Sequence, residues 1–414
     1  MLENNNTPEI RFKGYTNAWE QRKLGDYVTI ISGDAPSKFE EGNELYVKVD
    51  DLNYNSKYVI DSQNKVALHN SIKKAPKGSV VFPKRGAAIM TNKVRILAED
   101  SYMDTNMMAL SSDKIDSEFL YNVISKEGLY KIADTSTIPQ INNKHIEPYE
   151  VLLPGLDEQI RIGKFFEDVD NLITLHQRKY DKLVKIKKSM LEKMFPQKGS
   201  KFPEIRFKRY TDAWEQRKFS SVFDGLQNNT LSRSDLNYES GSVKNVHYGD
   251  VLIKFGDYID ASETELPYIS DDTKVEKFKN SFLYDGDIII ADTAEDDTVG
   301  KCTEIRGSEG LKLLSGLHTI ACRPKDNYGP MFLGYYLNSP AYHNQLKPLM
   351  QGIKVTSISK SALQDTDMLI PKSIEEQTRI GEYFAGIDNL ITLHQRKLGK
   401  LRNIKKSMLE KMFV

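Results

Sequence analysis

Two stretches of this chain place apolar residues at alternating steps of four and three positions, which is the spacing of a coiled-coil seam. Each stretch predicts a helix of roughly 35 residues, or about 50 Å at 1.5 Å per residue. Two such helices in one chain pair most simply as an antiparallel coiled coil. The first seam consists of Ile162, Phe166, Val169, Ile173, His176, Tyr180, Leu183, Met190 and Met194. The second consists of Ile380, Phe384, Ile387, Ile391, His394, Leu398, Leu401, Met408 and Met412.

Local signals support both helices. Ser373 and Glu376 have the spacing of a capping box before the second seam. Pro196 is expected to end the first helix. His176 and His394 lie on the seams, where a polar residue that fixes the helix register is far commoner than a metal ligand.

The helices belong to an internal repeat. Residues 8–23, PEIRFKGYTNAWEQRK, return at 203–218 with 14 of 16 positions identical. Residues 157–195 return at 375–413 with 28 of 39 positions identical. One frame used twice around unrelated inserts indicates one architectural role performed twice and two different recognition roles. The inserts, which share no comparable identity, are roughly residues 24–150 and 219–368.

Both inserts mix short strand-like and helix-like runs, which predicts α/β or α+β globules. Residues 62–98 of the first contain no Asp or Glu and are rich in Lys and Arg, the local cationic density that a phosphate-facing surface needs. Gly86 lets the backbone approach closely, and Arg85 suits bidentate bonding to guanine. A basic surface loop is the simpler interpretation of this stretch alone, but the duplicated frame favours DNA. The candidate DNA contacts are Lys65, Lys73, Lys74, Lys77, Lys84, Arg85, Gly86, Lys93 and Arg95.

The second insert has more scattered candidates. An acidic run in it includes Asp292, Glu295, Asp296 and Asp297. These carboxylates could accept hydrogen bonds from cytosine amino groups, although a solvent-exposed turn is the simpler interpretation. The candidate DNA contacts of this insert are Lys244, His247, Tyr248, Lys254, Arg306 and Lys354.

Two pairs of segments have equivalent places in the two inserts. APKGSVVFPKRGAAI in the first and FLYDGDIIIADTAEDD in the second each predict a turn, a hydrophobic strand and a polar loop. TSTIPQINNKHI at 135–146 and QGIKVTSISK at 351–360 are polar loops ahead of the helices. The polar loops that follow the predicted strands differ sharply in charge. If these loops bind DNA, they are therefore expected to recognise different bases.

Composition narrows the function further. The 58 basic residues balance the 58 acidic ones, and Cys302 and Cys322 are the only cysteines, which fits a reduced, cytosolic setting. The chain contains no run of roughly 18 apolar residues, so no membrane span is predicted. Phosphate-binding, dinucleotide-binding and amino-methyltransferase motifs are missing, and the seven His residues have no metal-ligand spacing. We therefore expect no catalytic residue and no metal site.

The arrangement resembles the specificity subunit of Type I restriction-modification enzymes. The stretch TIPQINNKHIEPYEVLLPGLDEQIRIGKFF at 137–166 is similar to that family's junction between a recognition domain and its conserved helix, and residues 352–384 give a second instance. The resemblance implies two target recognition domains, each contacting one half of a bipartite double-stranded DNA sequence. It also implies two methyltransferase subunits that carry S-adenosylmethionine and a restriction subunit that uses ATP and Mg. No cofactor is expected in this chain.

On this basis the expected fold is two globular target recognition domains joined by two long helices in a pseudo-twofold repeat. A rod of roughly 50 Å spans more than one DNA turn of about 34–36 Å, which predicts a non-specific spacer between two different half-sites. The alternatives are an enzyme that acts alone, a two-headed DNA-binding regulator, and a coiled-coil scaffold for proteins. The expected divisions are a first recognition domain at 1–156, a helix at 157–196, a second recognition domain at 197–372 and a helix at 373–414.

Overall fold

The computed structural model describes residues 6–54 and 56–414. The chain divides into two compact units. The first comprises the residues up to Gln177 together with Arg396–Val414, and the second comprises Arg178–Gln395. Each unit therefore contains one of the two inserts and parts of both long helices. Within the described ranges, no helix has the length and apolar character needed to cross a membrane.

The first unit combines short strands with short helices and with parts of two long ones. Its strands are β1 (Glu20–Lys23), β2 (Thr29–Ser32), β3 (Glu41–Val47), β4 (Tyr58–Val59), β5 (Lys65–Val66), β6 (Val80–Pro83), β7 (Arg95–Leu97), β8 (Tyr102–Met103), β9 (Met107–Ser111) and β10 (Glu150–Leu153). Its helices are α1 (Asp51–Tyr54), α2 (Ser117–Glu127), α3 (Asn143–Ile146) and the beginning of α4 (Leu156–Lys193).

The second unit has a similar content. Its strands are β11 (Glu215–Lys218), β12 (Phe223–Gly225), β13 (Leu236–Asn237), β14 (Lys244–Val246), β15 (Tyr258–Asp260), β16 (Tyr268–Ile269), β17 (Ile288–Ala291), β18 (Thr293–Ala294), β19 (Cys302–Arg306), β20 (Leu313–Ser315), β21 (Thr319–Pro324), β22 (Thr356–Ser357) and β23 (Asp367–Ile370). Its helices are α5 (Phe219–Val222), α6 (Tyr248–Ile253), α7 (Phe332–Asn338), α8 (Pro340–His343), α9 (Lys360–Gln364) and the beginning of α10 (Ile374–Lys411).

The five-stranded sheets of the two units have the same topology although the inserts are unrelated in sequence. Their five-stranded sheets have the orders β2-β9-β6-β7-β4 and β12-β21-β17-β19-β15. In each sheet the last pair is parallel and the other pairs are antiparallel. The central strands β6 and β17 are buried along their whole length, as expected of a strand covered on both faces. The predicted mixed α/β fold, repeated twice in the chain, is therefore confirmed.

The long helices α4 and α10 each contain 38 residues. In the first unit the beginning of α4 lies against the end of α10, where Lys405 Nζ is 2.5 Å from Asp170 Oδ1. In the second unit the end of α4 lies against the beginning of α10, where Lys187 Nζ is 2.6 Å from Asp388 Oδ1. This order is antiparallel, as predicted. Every residue of the two predicted seams is buried or half-buried, including His176 and His394.

Each unit closes its core with residues that follow the helix of the other repeat. In the first unit the Trp19 ring lies 6.1 Å from Phe413, which follows α10. In the second unit the Trp214 ring lies 6.1 Å from Phe195, which follows α4. The backbone repeats the arrangement, because Ile10 N–H donates to the Lys411 carbonyl and Ile205 N–H to the Lys193 carbonyl, both at 2.9 Å. The repeated segments at 8–23 and 203–218 are therefore anchored on the long helices.

A repeated ion pair explains why the predicted capping box is only half formed. The Glu376 N–H donates to Ser373 Oγ at 3.2 Å, as predicted. The Glu376 carboxylate, however, accepts from Arg206 Nε and Nη2 at 2.7 and 2.9 Å. Arg11 makes the same bidentate pair with Glu158 in the first unit. A charge-assisted fork to a buried carboxylate is stronger than a bond to a neutral backbone group, so Glu376 turns toward arginine.

Candidate nucleic-acid interface

Several loops of the first unit meet where β2 and β6 end and β9 begins. The Asp34 N–H donates to the Met103 carbonyl at 2.9 Å, and the Lys84 N–H donates to the Asn106 carbonyl at 2.7 Å. At Gly33 a side-chain Cβ would lie 2.0 Å from the Asp104 carbonyl oxygen, so this close approach requires glycine. We call this surface the first edge; it consists of residues 33–38, 84–86, 104–106 and 134–141.

The basic loop that follows β6 is tied to the loop at 134–141. The Gly86 N–H donates to the Pro139 carbonyl and the Ile141 N–H to the Lys84 carbonyl, both at 2.8 Å. Gly86 has a φ of 84°, a conformation that glycine adopts without strain. The structure thus brings together two segments that the sequence had placed far apart.

The second unit builds a corresponding surface on the same backbone bonds. The Asp292 N–H donates to the His318 carbonyl at 3.1 Å, and the Ile358 N–H donates to the Asp292 carbonyl at 2.8 Å. Asp292 therefore occupies the place of Lys84, and His318 occupies the place of Asn106. We call this surface the second edge; it consists of residues 226–229, 292–297, 315–318 and 351–358.

At one equivalent position the two edges carry opposite charges on the same backbone frame. On the first, burial lowers the pKa of the half-buried Lys84, while nearby Asp34 and Asp104 favour its charged form. Arg85 beside it is exposed. On the second, the Asp292 carboxylate accepts from Thr293 Oγ1 at 2.7 Å and lies 3.5 Å from His318 Nδ1. The same position therefore offers a cation in one unit and a hydrogen-bond acceptor in the other.

Some of the other candidate cations of the first unit are held by neighbouring groups, and others are exposed. Lys74 pairs with Glu44, and Lys93 Nζ donates to Asn53 Oδ1. Arg95 donates at 2.7 Å to the carbonyls of Val94 and Leu52, and burial lowers its pKa. Only the loop Lys84-Arg85-Gly86 lies on the first edge as defined. The remaining candidates, all exposed, are Lys65, Lys73 and Lys77.

In the second unit Lys354 lies on the second edge, and Tyr248 contacts that edge from outside it. The Tyr248 ring lies 5.3 Å from His318 in an edge-to-face arrangement, and Lys354 is exposed in the loop at 351–358. His247 is buried and accepts from the Gly249 N–H at 3.1 Å as the cap of α6. Burial is the main cause that lowers the pKa of His247, and the positive charge of Arg233 lowers it further.

The remaining candidates of the second unit are held by local contacts. Lys254 lies 3.3 Å from Asp250, Arg306 lies 3.7 Å from Asp285, and Lys244 lies over the Tyr268 ring at 5.7 Å. The DNA-contact assignments of both units stay predictions.

Sequence reasoning missed several polar residues of both edges. They are Asp34, Asp104, Asn106 and Gln140 on the first edge, and Asn228 and His318 on the second. The usable signal was the equivalent placement of the loops at 135–146 and 351–360, which marked two of the contributing segments. The loops before β9 and β21 carried no such signal, because they differ in sequence and join the edges only through the sheet.

The two cysteine thiols, which lie outside the edges, are both buried. Burial raises the pKa of the Cys302 thiol, and it raises the pKa of Cys322 to about 12. No cluster of three or more His, Cys, Asp or Glu residues suited to a metal occurs in the parts of the chain that the structure describes.

The comparisons with known proteins agree with this arrangement. The family model for the Type I restriction modification DNA specificity domain matches residues 17–185 and again 211–403. Since these two matches cover most of the chain, the protein belongs to the family of Type I restriction-modification DNA-specificity proteins.

Individual relatives match over nearly the full length. The MjaVIII specificity subunit of a Type I restriction enzyme from Methanocaldococcus jannaschii is 23% identical, with 94% of this chain and 91% of the relative covered. The crystal structure of a Type-I restriction-modification S subunit from M. genitalium has a TM-score of 0.54 and 14% identity, with 99% of both chains covered. That structure supports the fold.

Proposed function

We propose that this chain reads an asymmetric bipartite DNA target for a Type I restriction-modification complex, with each edge reading one half. The observation that carries the proposal is the pair Lys84 and Asp292, which hold the same place in the same hydrogen-bonded frame. A cation and a carboxylate select different base edges, because guanine offers acceptors in the major groove and cytosine offers an amino donor. Two unlike readers in one chain require two unlike half-sites.

The long helices offer two equivalent patches for a partner that binds twice. The segment NLITLHQRK occurs identically at 171–179 and 389–397. Leu172 and Leu175 in one copy, and Leu390 and Leu393 in the other, are 44–46% exposed. These leucines lie off the seams, so pairing of the helices does not explain them. Two identical apolar patches fit two copies of one partner protein, and we assign them to two methyltransferase subunits.

The chemistry of the complex belongs to the partners in this proposal. The methyltransferase subunits would bring S-adenosylmethionine, and a restriction and translocase subunit would bring ATP and Mg. This chain contributes DNA selection and assembly. The relative from Methanocaldococcus jannaschii, itself described as a specificity subunit, supports this division of labour. A regulator or scaffold without enzyme partners is less favoured, since the family match covers both repeats.

Methylation mapping tests the proposal. The chain is expressed with a Type I methyltransferase subunit from the same genome in a host that lacks other adenine methyltransferases, and methylated positions are mapped across the host genome. We expect one asymmetric bipartite motif that disappears when this chain is omitted. An unchanged map without the chain, with the methyltransferase shown to be active, would contradict the proposal. A matched culture that carries the methyltransferase alone serves as the control.

A further inference from the structure

Each edge contains a loop that is closed in the same way. In the first, Asp134 and Gln140 exchange backbone hydrogen bonds of 2.9 and 3.0 Å. In the second, Gln351 and Ser357 exchange bonds of 2.9 and 2.8 Å. Five residues lie between the closing pair in both cases. A loop fixed at its base loses little conformational entropy when it binds, so its exposed side chains are well suited to recognition.

Both loops expose an aliphatic side chain at the same position. Ile138 lies two residues before Gln140 and is 56% exposed, and Val355 lies two residues before Ser357 and is 53% exposed. A single exposed aliphatic residue is ordinary on a protein surface. Here an exposed aliphatic residue recurs at one position of one loop, in two segments of unrelated sequence. Ile353 in the second loop adds a further, fully exposed aliphatic residue.

The charges around these loops fit a nucleic-acid partner. Residues 135–139 and 352–356 contain no Asp or Glu, and Lys354 adds a positive charge. The first loop is bonded to Lys84 and Gly86, beside Arg85, and the second loop is bonded to Asp292. Aliphatic groups thus lie next to side chains that can bond base edges. That combination suits the major groove, where the thymine methyl is the apolar group among donors and acceptors.

We propose that Ile138 and Val355 contact thymine methyl groups in the major groove, one in each half of the DNA target. The proposal rests on the function proposed above and adds a contact by which that function distinguishes T·A from other base pairs. Contact with the methyl group removes apolar surface from water on both sides. Hydrogen-bonding side chains at the edges then select the neighbouring bases.

The test replaces thymine by uracil, which lacks only the 5-methyl group. Duplexes carry the motif found by methylation mapping, with each thymine of either strand replaced in turn by deoxyuridine. Binding is measured with the full chain assembled with its methyltransferase. In each half we expect at least one replacement to raise Kd about fourfold, the equivalent of one buried methyl group. Ile138→Ala should remove this sensitivity in one half only, and Val355→Ala should remove it in the other half only.

Matched controls are available in both units. Ile60 and Ile253 are 68% and 86% exposed, so Ile60→Ala and Ile253→Ala remove an equivalent side chain outside the edges and should keep both sensitivities. A flat uracil scan, or sensitivity that survives Ile138→Ala and Val355→Ala, would overturn the proposal. Weaker binding by the variants with unchanged uracil sensitivity would overturn it in favour of insertion at a base step in the minor groove. Absence of any specific motif would instead refute the proposed function itself.

Discussion

Arg11 makes a bidentate contact with Glu158, with Nε–Oε1 and Nη2–Oε2 distances of 2.7 Å. The Glu158 side chain is only 2% exposed. The contact joins the first repeated segment to the beginning of α4. The second unit has the same contact between Arg206 and Glu376. The contact therefore belongs to the repeated frame and not to the edges that differ between the units.

We expect Glu158→Ala to destabilise the first unit by about 3–5 kcal/mol, since it leaves a mostly buried guanidinium without its partner. Hydrogen exchange under mild denaturant measures the effect in each unit separately, which a single unfolding curve of a two-unit chain would not do. Lys193→Ala is the control, because its pair with Glu204 is largely exposed and should contribute less than about 1 kcal/mol. An equal loss of protection in both variants would contradict the assignment.

The apolar patches predict a change in stoichiometry. The double substitution Leu172→Asp and Leu175→Asp places two carboxylates in one patch and leaves the patch at Leu390 and Leu393 intact. We expect the assembled complex to hold one methyltransferase instead of two, as native mass spectrometry would show. Ile253→Asp, at an exposed position outside the patches, should keep two copies. Two copies bound to the double variant would disprove the patch assignment.

The length of the paired helices predicts the spacer between the half-sites. Seven residues added after Gln177 in α4 and seven after Gln395 in α10 preserve the heptad seam. They lengthen each helix by about 10 Å, which corresponds to about three base pairs. Methylation mapping should then show a spacer that is about three base pairs longer, with both half-sites unchanged. An unaltered spacer in a folded, active complex would refute the role of the helices as a ruler.

Glu304 predicts a pH dependence of stability. Its carboxylate accepts from the Met331 N–H at 2.6 Å and the Gly334 N–H at 3.1 Å, and burial raises its pKa from 4.5 to about 7. A group whose pKa is raised by folding contributes stability that is complete below about pH 4.5 and is lost as pH rises through about 7. Unfolding free energy should therefore fall by on the order of 3 kcal/mol between pH 5 and 8 from this group.

Glu304→Gln isolates the contribution, because an amide does not ionise. Thermal unfolding measures the loss of stability between pH 5 and pH 8. This loss should be smaller in Glu304→Gln than in the unaltered chain. Equal pH dependence in both proteins would show that Glu304 does not ionise in this range.

The sequence predicted the helical frame well. Regular spacing is a local property, so the seams from Ile162 to Met194 and from Ile380 to Met412 could be found without tertiary information. The capping-box prediction was half right, because no local pattern indicates that Arg206 competes for the Glu376 carboxylate.

The edges were much less predictable. Lys84 and Arg85 were selected by their charge, and their loop does lie on the first edge. Asn106 and His318 join the edges only because β9 and β21 each pair with a strand distant in the chain. A pairing of that kind is fixed by the whole sheet and leaves no mark in local sequence. The charge pattern also suggested Lys74 and Arg95, whose side chains are engaged by neighbouring groups.

We expect each edge to read one half of the target. The most direct test is binding of the assembled complex to a library of duplexes randomised at both half-sites, for the unaltered chain, Arg85→Ala and Asp292→Asn. We predict that Arg85→Ala relaxes base preference in one half only, and that Asp292→Asn relaxes it only in the other half. Relaxation of the same half by both variants, or a uniform loss of affinity with every base preference unchanged, would show that the two edges do not read separate halves.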